Sequence, residues 1–248
     1  MPEMSRKTAL VTGGGTGVGR ATSLQLAARG YDVAINYSRS RDDAEATAAA
    51  ARERGVRAVA LACDVSSDSQ VRAMIEQCRR EFGRLDVVVN NAAVTHFIPH
   101  SDLEALTEEK WDQILAVNLK GPFFVCRAAV PLIHSGGGGA IVNVASVAGL
   151  AGSGSSIAYA ASKGALITMT RSLAKSLAPT IRVNAVCPGV IVSRWLDDHP
   201  EMIDAAIKIT PLKRASTTDD VAGAITFLAC DAGMMTGQAI VVDGGRTM

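Results

Sequence analysis

Tyr159 and Lys163 are the two residues whose types and spacing point most directly to chemistry. They lie four residues apart in a segment with a helical pattern, so their side chains project from the same helix face. A free tyrosine has a pKa of about 10, and a neighbouring ammonium is expected to lower it. The pair therefore predicts a tyrosine that exchanges a proton with a bound ligand. A packing role for the tyrosine is the alternative.

A hydroxyl group is predicted near this pair, because Ser146 follows the fifth apolar run of the chain. Ligands of open α/β sheets bind just beyond the carboxyl ends of the strands. The Ser146 hydroxyl is therefore expected to hold a substrate oxygen.

A glycine-rich turn follows the first apolar run and opens directly into a helical pattern. Its residues are Thr12, Gly13, Gly14, Gly15, Thr16, Gly17, Val18 and Gly19. Glycines let the backbone approach a ligand closely, and the positive end of a helix favours an anion, so the turn predicts a pyrophosphate site. The strict G-x-G-x-x-G spacing is absent, which leaves a purely structural turn as the alternative.

The end of the second apolar run indicates which dinucleotide binds. An acidic residue there would hydrogen-bond the ribose hydroxyls of NAD, but the segment contains Ser38 and Arg39 and no carboxylate. A guanidinium pairs well with a 2′-phosphate, and a serine can donate to it. NADP(H) is therefore favoured over NAD(H), with a solvated Arg39 as the alternative.

Short Val- and Ile-rich runs alternate with helical patterns along the whole chain, which predicts repeated βα units. The expected fold is a doubly wound, mostly parallel, seven-stranded Rossmann-like sheet in one domain over residues 1–248. The predicted strands are Thr8–Thr12, Asp32–Asn36, Ala58–Ala62, Leu85–Asn90, Ala140–Ala145, Arg182–Val186 and Ala239–Val242. The predicted helices include Gly19–Arg29, Ala44–Arg54, Ser69–Phe82, Thr107–Val117, Ile157–Leu177 and Thr218–Ala229.

Composition argues against charged macromolecular partners. The 25 Lys and Arg nearly balance the 24 Asp and Glu, so nucleic acid and anionic membranes are not expected partners. The polar segment Met1–Lys7 leaves no room for a signal peptide, and we expect no apolar stretch of the roughly 20 residues that cross a bilayer. The five scattered cysteines predict neither a metal site nor disulfides, which favours the cytoplasm.

Several motifs together resemble the short-chain dehydrogenase/reductase family over nearly the whole chain. The glycine turn resembles the family's TGxxxGxG motif, and the segment Tyr159 to Lys163 resembles its YxxxK motif. Ser146 and Asn118 resemble the serine and the asparagine of its catalytic tetrad. Further resemblances are Asp64-Val65, Asn90 to Ala93, Pro188-Gly189 and Val241 to Gly245. Ala93 departs from the family's NNAG turn, which usually ends in glycine.

The resemblance implies interconversion of a ketone and a secondary alcohol. Tyr159 would be the general acid or base, Ser146 would orient the carbonyl, and Lys163 would bind the nicotinamide ribose. Asn118 would hold a water that connects Lys163 to solvent. The cofactor contacts would be Gly13, Thr16, Gly17, Val18, Gly19, Ser38, Arg39, Asp64, Val65, Asn90, Ala92, Tyr159, Lys163, Pro188, Gly189, Val190, Ile191 and Ser193. A homotetramer is also implied.

Substrate choice stays open at this stage. Residues 193–211 are irregular in pattern and are expected to form a substrate lid, with Trp195, Leu196 and Met202 as apolar contacts. The pattern is closest to the 3-oxoacyl-[acyl-carrier-protein] reductases, yet 135–139 and 178–180 lack the basic residues that dock the carrier. The alternatives are an NAD-linked sugar or hydroxysteroid dehydrogenase and a non-catalytic NADP(H)-sensing regulator.

Overall fold

A computed structural model describes residues 6–248 of the chain. Residues 1–5, which include most of the polar segment Met1–Lys7, lie outside the described residues. Seven strands form one sheet in the order β3-β2-β1-β4-β5-β6-β7, and every neighbouring pair is parallel. The strands are β1 Thr8–Val11, β2 Asp32–Tyr37, β3 Ala58–Ala62, β4 Val87–Asn90, β5 Gly139–Val144, β6 Ile181–Pro188 and β7 Ala239–Val242.

The helices connect consecutive strands and cover both faces of the sheet. They are α1 Gly17–Ala28, α2 Arg41–Arg52, α3 Asp68–Phe82, α4 Glu108–Leu115, α5 Gly121–Ser135, α6 Ala148–Ala151, α7 Ile157–Leu177, α8 Pro200–Ile209 and α9 Thr218–Cys230. A π-helical stretch, Ala116–Lys120, joins α4 to α5. A 3₁₀ turn, Arg194–Leu196, precedes α8.

The predicted fold class is confirmed: the chain folds as a single doubly wound α/β domain. All seven predicted strands are present, and the sheet is parallel throughout rather than mostly parallel. The bounds of β3, β7 and α7 match the prediction. Thr217 and Asp220 form a capping box at the start of α9.

Two apolar layers hold the helices on the sheet. On one face, α1, α2 and α9 pack on the strands through residues such as Leu26, Ala48 and Ile225. On the other face, α3 and α5 pack through residues such as Ile75 and Leu132, and these side chains are fully or almost fully buried. Each fully buried Leu or Ile stabilises the fold by roughly 1.5–3 kcal/mol. The two layers cover both faces of the sheet, and its parallel strands bring their carboxyl ends to one edge.

The segment 193–211 differs from the prediction, because most of it is helical rather than irregular. Helix α8 begins at Pro200, a residue that is favourable in the first turn of a helix. Its residues Met202, Ala206 and Ile209 recur at helical spacing, which is a signal the sequence offered. Helix α5 also had no predicted bounds, and its Pro122 lies in the first turn.

One helical stretch is long and apolar enough to cross a bilayer, although the sequence analysis expected no such segment. The continuous stretch Glu108–Ser135 has 28 residues, and an 18-residue window in it has a mean hydropathy of 1.3, which suffices for a membrane span by length and composition only. Core helices of soluble proteins meet the same criterion. Here Val125, Ala129 and Ile133 of α5 are buried against the sheet, which favours the core-helix interpretation.

The contact between β4 and β5 leaves no room for a side chain at Gly139. A Cβ there would overlap the backbone oxygen of Asp86, which is part of the neighbouring chain segment and cannot move cheaply. We expect Gly139→Ala to lower the free energy of unfolding by about 2–3 kcal/mol in urea titration.

Gly223→Ala is the matched control, because a Cβ at this position of α9 meets no atom within 4 Å. It should raise the free energy of unfolding by about 0.5–1 kcal/mol through better helix propensity. Equal stabilities of the two variants would contradict the described packing.

Candidate active site

A cleft of about 1210 Å³ runs along the carboxyl edge of the sheet. It crosses the point between β1 and β4 where the strand order reverses, which is where ligands bind in doubly wound sheets. Residues that follow six different strands line it: Gly13, Arg39, Asp64, Ala92, Ser146 and Gly189. These six residues therefore meet in one cavity.

The glycine turn is shaped by close backbone contacts. A Cβ on Gly19 would overlap the backbone oxygen of Gly13 and lie 2.7 Å from the Asn91 amide nitrogen. The Asn91 amide donates to the oxygens of Thr12 and Gly13 at 3.0 and 3.2 Å. Gly13 and Gly17 adopt positive φ angles of 59° and 51°. The turn is thus held in a compact shape ahead of α1.

Asn36, at the end of β2, is a positioning residue that the sequence analysis did not single out. Its amide oxygen accepts from the Gly13 backbone nitrogen at 3.2 Å, and its amide nitrogen donates to the Leu61 and Cys63 oxygens at 3.2 and 2.9 Å. The side chain is 1% exposed. It therefore connects the ends of three strands. A polar residue at the last buried position of a strand was the signal in the sequence that could have identified this role.

The far end of the cleft is polar. Ser38 and Arg39 line it on exposed loop positions after β2, and Asp64 and Val65 line it after β3. One Asp64 carboxylate oxygen accepts from the Ser66 backbone nitrogen at 2.9 Å and from its hydroxyl at 2.7 Å. This end can hold an adenosine with a phosphate near Arg39.

Lys163 is almost fully buried beside Tyr159, as the helical spacing predicts. Its amine donates to the Val144 backbone oxygen at 2.8 Å and lies 5.6 Å from the centre of the Tyr159 ring. The start of α7 is fixed by Ser156, whose hydroxyl accepts from the Tyr159 backbone nitrogen at 3.2 Å. These contacts hold both side chains on the cleft wall at the end of β5.

The pKa values of the pair correct one expectation. Burial raises the pKa of Tyr159 to about 12, while a hydrogen bond with Ser146 acts in the opposite direction. Burial lowers the pKa of Lys163 to about 8. The expectation that the Tyr159 pKa lies below its ordinary value is therefore wrong for the protein without a bound cofactor, because desolvation of the phenolate dominates.

Asn118 lies behind the cleft wall rather than in it. It is fully buried in the π-helical stretch, and its amide oxygen accepts from the Val94 nitrogen at 2.8 Å. Its amide nitrogen donates to the Val94 oxygen at 2.9 Å and to the Ser162 hydroxyl at 3.2 Å. Asn118 thus connects the loop after β4 to α7. A water held by this residue stays a prediction.

Asn90 is also turned away from the cleft. Its amide nitrogen donates to Asn143 at 2.9 Å and contacts the Cys126 sulfur at 3.3 Å inside the protein. The neighbouring Asn91 and Ala92 face the cleft instead. Of the other predicted cofactor contacts, Gly19 supports the turn from behind. The rest line the cavity: Gly13, Thr16, Gly17, Val18, Ser38, Arg39, Asp64, Val65, Ala92, Tyr159, Lys163, Pro188, Gly189, Val190, Ile191 and Ser193.

The near end of the cleft, beyond Ser146 and Tyr159, is covered by 193–211. Trp195, Leu196 and Met202 line it, as predicted for this segment, together with Phe97 on the opposite wall. The segment is held at two points: Arg194 pairs with Asp43 of α2 at 2.9 Å, and the His199 ring lies 4.0 Å from that of Phe97. A substrate that enters here meets mainly apolar side chains.

The residues present fit a nicotinamide dinucleotide. The compact glycine turn has no room for a Cβ at Gly19, and it runs into the start of α1, which favours phosphate groups. The cavity connects this turn to Lys163 and Tyr159 without interruption. Within residues 6–248, no group of three or more His, Cys, Asp or Glu could hold a metal ion.

Comparison with known proteins gives consistent matches. Residues 13–247 match the family described as enoyl-(acyl carrier protein) reductase. The chain is 40% identical over 245 residues to the 3-oxoacyl-[acyl-carrier-protein] reductase FabG of Staphylococcus aureus, with 98% of each sequence covered.

Solved structures agree with this. A protein from Burkholderia xenovorans assigned as a short-chain dehydrogenase/reductase has a TM-score of 0.92 and 37% identity over 98% of this chain and 99% of its own. A glucose/ribitol dehydrogenase of the same kind from Brucella melitensis has a TM-score of 0.88 and 30% identity over 98% and 97%. The chain therefore belongs to the short-chain dehydrogenase/reductase family and is an NAD(P)-dependent oxidoreductase that acts on ketones or alcohols.

Proposed function

We propose that this protein is an NADP(H)-dependent reductase that converts a ketone to a secondary alcohol, with Tyr159 as the proton donor. The observation that carries the proposal is the convergence of Ser146, Tyr159 and the buried Lys163 on one wall of the dinucleotide-sized cleft. The S. aureus relative is named for reduction of a 3-oxoacyl group, which supports a ketone as substrate.

The protein's own groups position and protonate the substrate. Ser146 donates a hydrogen bond to the carbonyl oxygen, and Tyr159 transfers its phenol proton to that oxygen. The Lys163 ammonium stabilises the phenolate that forms, and the Val144 carbonyl holds the amine in place. When bound, the nicotinamide supplies the hydride for reduction or accepts it in the reverse reaction.

The resting protonation states favour reduction at neutral pH. With the Tyr159 pKa at about 12, the residue is a neutral phenol, which is the form that donates a proton. With the Lys163 pKa at about 8, the amine keeps its charge below that pH. Alcohol oxidation needs the phenolate, so its rate is expected to rise with pH.

NADP(H) is the proposed cofactor because Ser38 and Arg39 stand where the adenosine ribose would lie. Arg39 can pair with a 2′-phosphate at this exposed position. The proposed setting is a cytoplasmic homotetramer, as the family resemblance implies.

Two other functions remain distinguishable by assay. An NAD-linked sugar or hydroxysteroid dehydrogenase would reverse the cofactor preference, and a non-catalytic regulator would bind the cofactor without turning over any ketone. The complete set of Ser146, Tyr159 and Lys163 in the cleft favours an enzyme over a regulator.

Substitution of the proton donor tests the chemistry. Tyr159→Phe should lower kcat for ketone reduction by about 10²–10⁴-fold, because general acid catalysis contributes that much. Its dissociation constant for NADPH, measured by cofactor fluorescence, should stay close to that of the wild type.

Tyr31→Phe is the matched control, since Tyr31 is also buried but packs under α1 and α9, away from the cleft. It should keep wild-type turnover. Full activity in Tyr159→Phe would remove the proposed mechanism.

Cofactor preference is tested at Arg39. The Michaelis constant of the wild type should be at least about tenfold lower for NADPH than for NADH, and Arg39→Ala should remove most of this difference by losing a charge-assisted hydrogen bond. Arg41→Ala, at the first residue of α2, should leave the ratio unchanged. Equal constants for both cofactors in the wild type would refute the assignment.

The raised pKa of Tyr159 is measurable without substrate. At pH 10 a free tyrosine is half ionised, whereas a pKa of about 12 leaves only about 1% phenolate. The tyrosinate absorbance of the wild type minus that of Tyr159→Phe, recorded without cofactor, should therefore stay near zero up to pH 10. A half-ionised residue at or below that pH would show that burial does not control this phenol.

A further inference from the structure

Arg246 is a cation at the substrate end of the cleft that neither the hydride chemistry nor cofactor binding uses. The substrate end is the part lined by Phe97, Trp195, Met202, Ile209 and Arg246. Arg246 is half-buried there, in the C-terminal loop after β7. We propose that Arg246 binds an anionic group of the substrate, so that the physiological ketone is an oxo acid whose carboxylate pairs with this guanidinium.

The charge balance of the cleft supports this assignment. Arg194, another arginine of the cleft wall, is already paired with Asp43 at 2.9 Å, whereas Arg246 has no ion pair among residues 6–248. Asp64 is the one acidic residue among the described residues that line the cleft, and it lies at the adenosine end. The substrate end therefore offers a positive charge that has no ion-pair partner among residues 6–248, beside mainly apolar side chains.

The backbone around Arg246 is fixed, which gives the charge a defined position. The buried Asp243 carboxylate accepts from the backbone nitrogens of Gly245 and Thr247, both at 2.8 Å, and from the Thr247 hydroxyl at 2.7 Å. These bonds close a tight loop with Arg246 at its centre. A guanidinium on a held backbone loses less conformational entropy when it binds a carboxylate.

The loop is also joined to both walls of the substrate end. Leu212, just after α8, donates from its backbone nitrogen to the Gly244 oxygen at 3.2 Å. A Cβ on Gly189 would lie 2.8 Å from the Asp243 Cβ, so the turn after β6 packs directly on this loop. Arg246 therefore stands between the helix that covers the substrate and the turn beside Ser146 and Tyr159.

A ketone that carries a carboxylate would satisfy each part of this arrangement. Its carbonyl oxygen binds at Ser146 and Tyr159, its carbon chain contacts the apolar wall, and its carboxylate pairs with Arg246. This inference rests on the proposed ketone reduction. A phosphate-bearing thioester presents the same anionic chemistry, and the assays below separate it from a free oxo acid.

The test compares oxo acids with their neutral methyl esters, using NADPH and chains that differ in the carbons between carbonyl and carboxylate. The wild type should prefer one acid of the series over its ester. Arg246→Gln should lower kcat/KM for that acid by roughly 10- to 100-fold, the loss of a charge-assisted hydrogen bond, and leave the ester unchanged. Arg246→Lys should recover part of the loss.

Lys208→Gln is the matched control, because this lysine carries the same charge on α8 but does not line the cleft. Its acid-to-ester ratio of kcat/KM should equal that of the wild type. If this variant lost as much activity on the acid as Arg246→Gln does, the preference for the acid would come from the overall positive charge, and the proposal would be overturned. A wild type that turns over acids and esters equally would also overturn it. The wild type could instead prefer an acyl phosphopantetheine over every free acid. If Arg246→Gln lost that preference, Arg246 would still be an anion site, and its ligand would be the phosphate.

Binding without turnover separates this inference from the proposed function. In the Tyr159→Phe protein with NADP, quenching of tryptophan fluorescence, to which Trp195 at the substrate end contributes, gives the dissociation constant of the acid. Adding Arg246→Gln should raise that constant by the same roughly 10- to 100-fold. If Tyr159→Phe stays fully active, the proposed mechanism fails, but this measurement still decides the role of Arg246. A dissociation constant that Arg246→Gln leaves unchanged would contradict the anion site.

Discussion

The hydrogen bond from the buried Lys163 amine to the Val144 oxygen, 2.8 Å long, is the interaction on which the site depends. It joins α7 to the carboxyl end of β5 and places an ammonium under the Tyr159 ring. A buried cation needs such a partner, since an unpaired charge away from water is costly. The same bond brings Tyr159 next to Ser146, because Ser146 follows β5 by two residues. Removing the Lys163 amine would therefore change the position of Tyr159 and remove the positive charge beside it.

The parallel sheet makes this arrangement possible. All seven strands deliver their carboxyl ends to one edge, and buried amides connect the segments that follow them: Asn36 links the ends of β1, β2 and β3, and Asn118 links the loop after β4 to α7. These amides lie one layer behind the ligand. The cleft wall is thus rigid around the dinucleotide end, and the more exposed segment 193–211 closes the substrate end. Such a division suits a family in which one cofactor chemistry serves many substrates.

Much of the fold and the site could be predicted from the sequence, because apolar runs repeat with βα spacing and the chemical residues follow them directly. The sequence could not reveal interactions between distant segments. Asn36 is a polar residue at a buried strand position, but its hydrogen-bond partners lie in distant segments that the sequence does not identify. The pKa of Tyr159 depends on how deeply the cleft wall buries the phenol. Helix α8 was missed since its ten residues give only two or three turns of periodicity. Arg246 stood next to a recognisable motif, yet only the folded chain shows that it faces the substrate end.

The central claim is that the phenol of Tyr159 and the ammonium of Lys163 act together beside a bound nicotinamide. A crystal structure with NADP and an unreactive substrate analogue tests it most directly. The account predicts that the Tyr159 and Ser146 oxygens both lie about 3 Å from the oxygen of the analogue, with the Lys163 amine within reach of the nicotinamide ribose. A nicotinamide bound away from this wall, with neither oxygen in contact with the analogue, would contradict it.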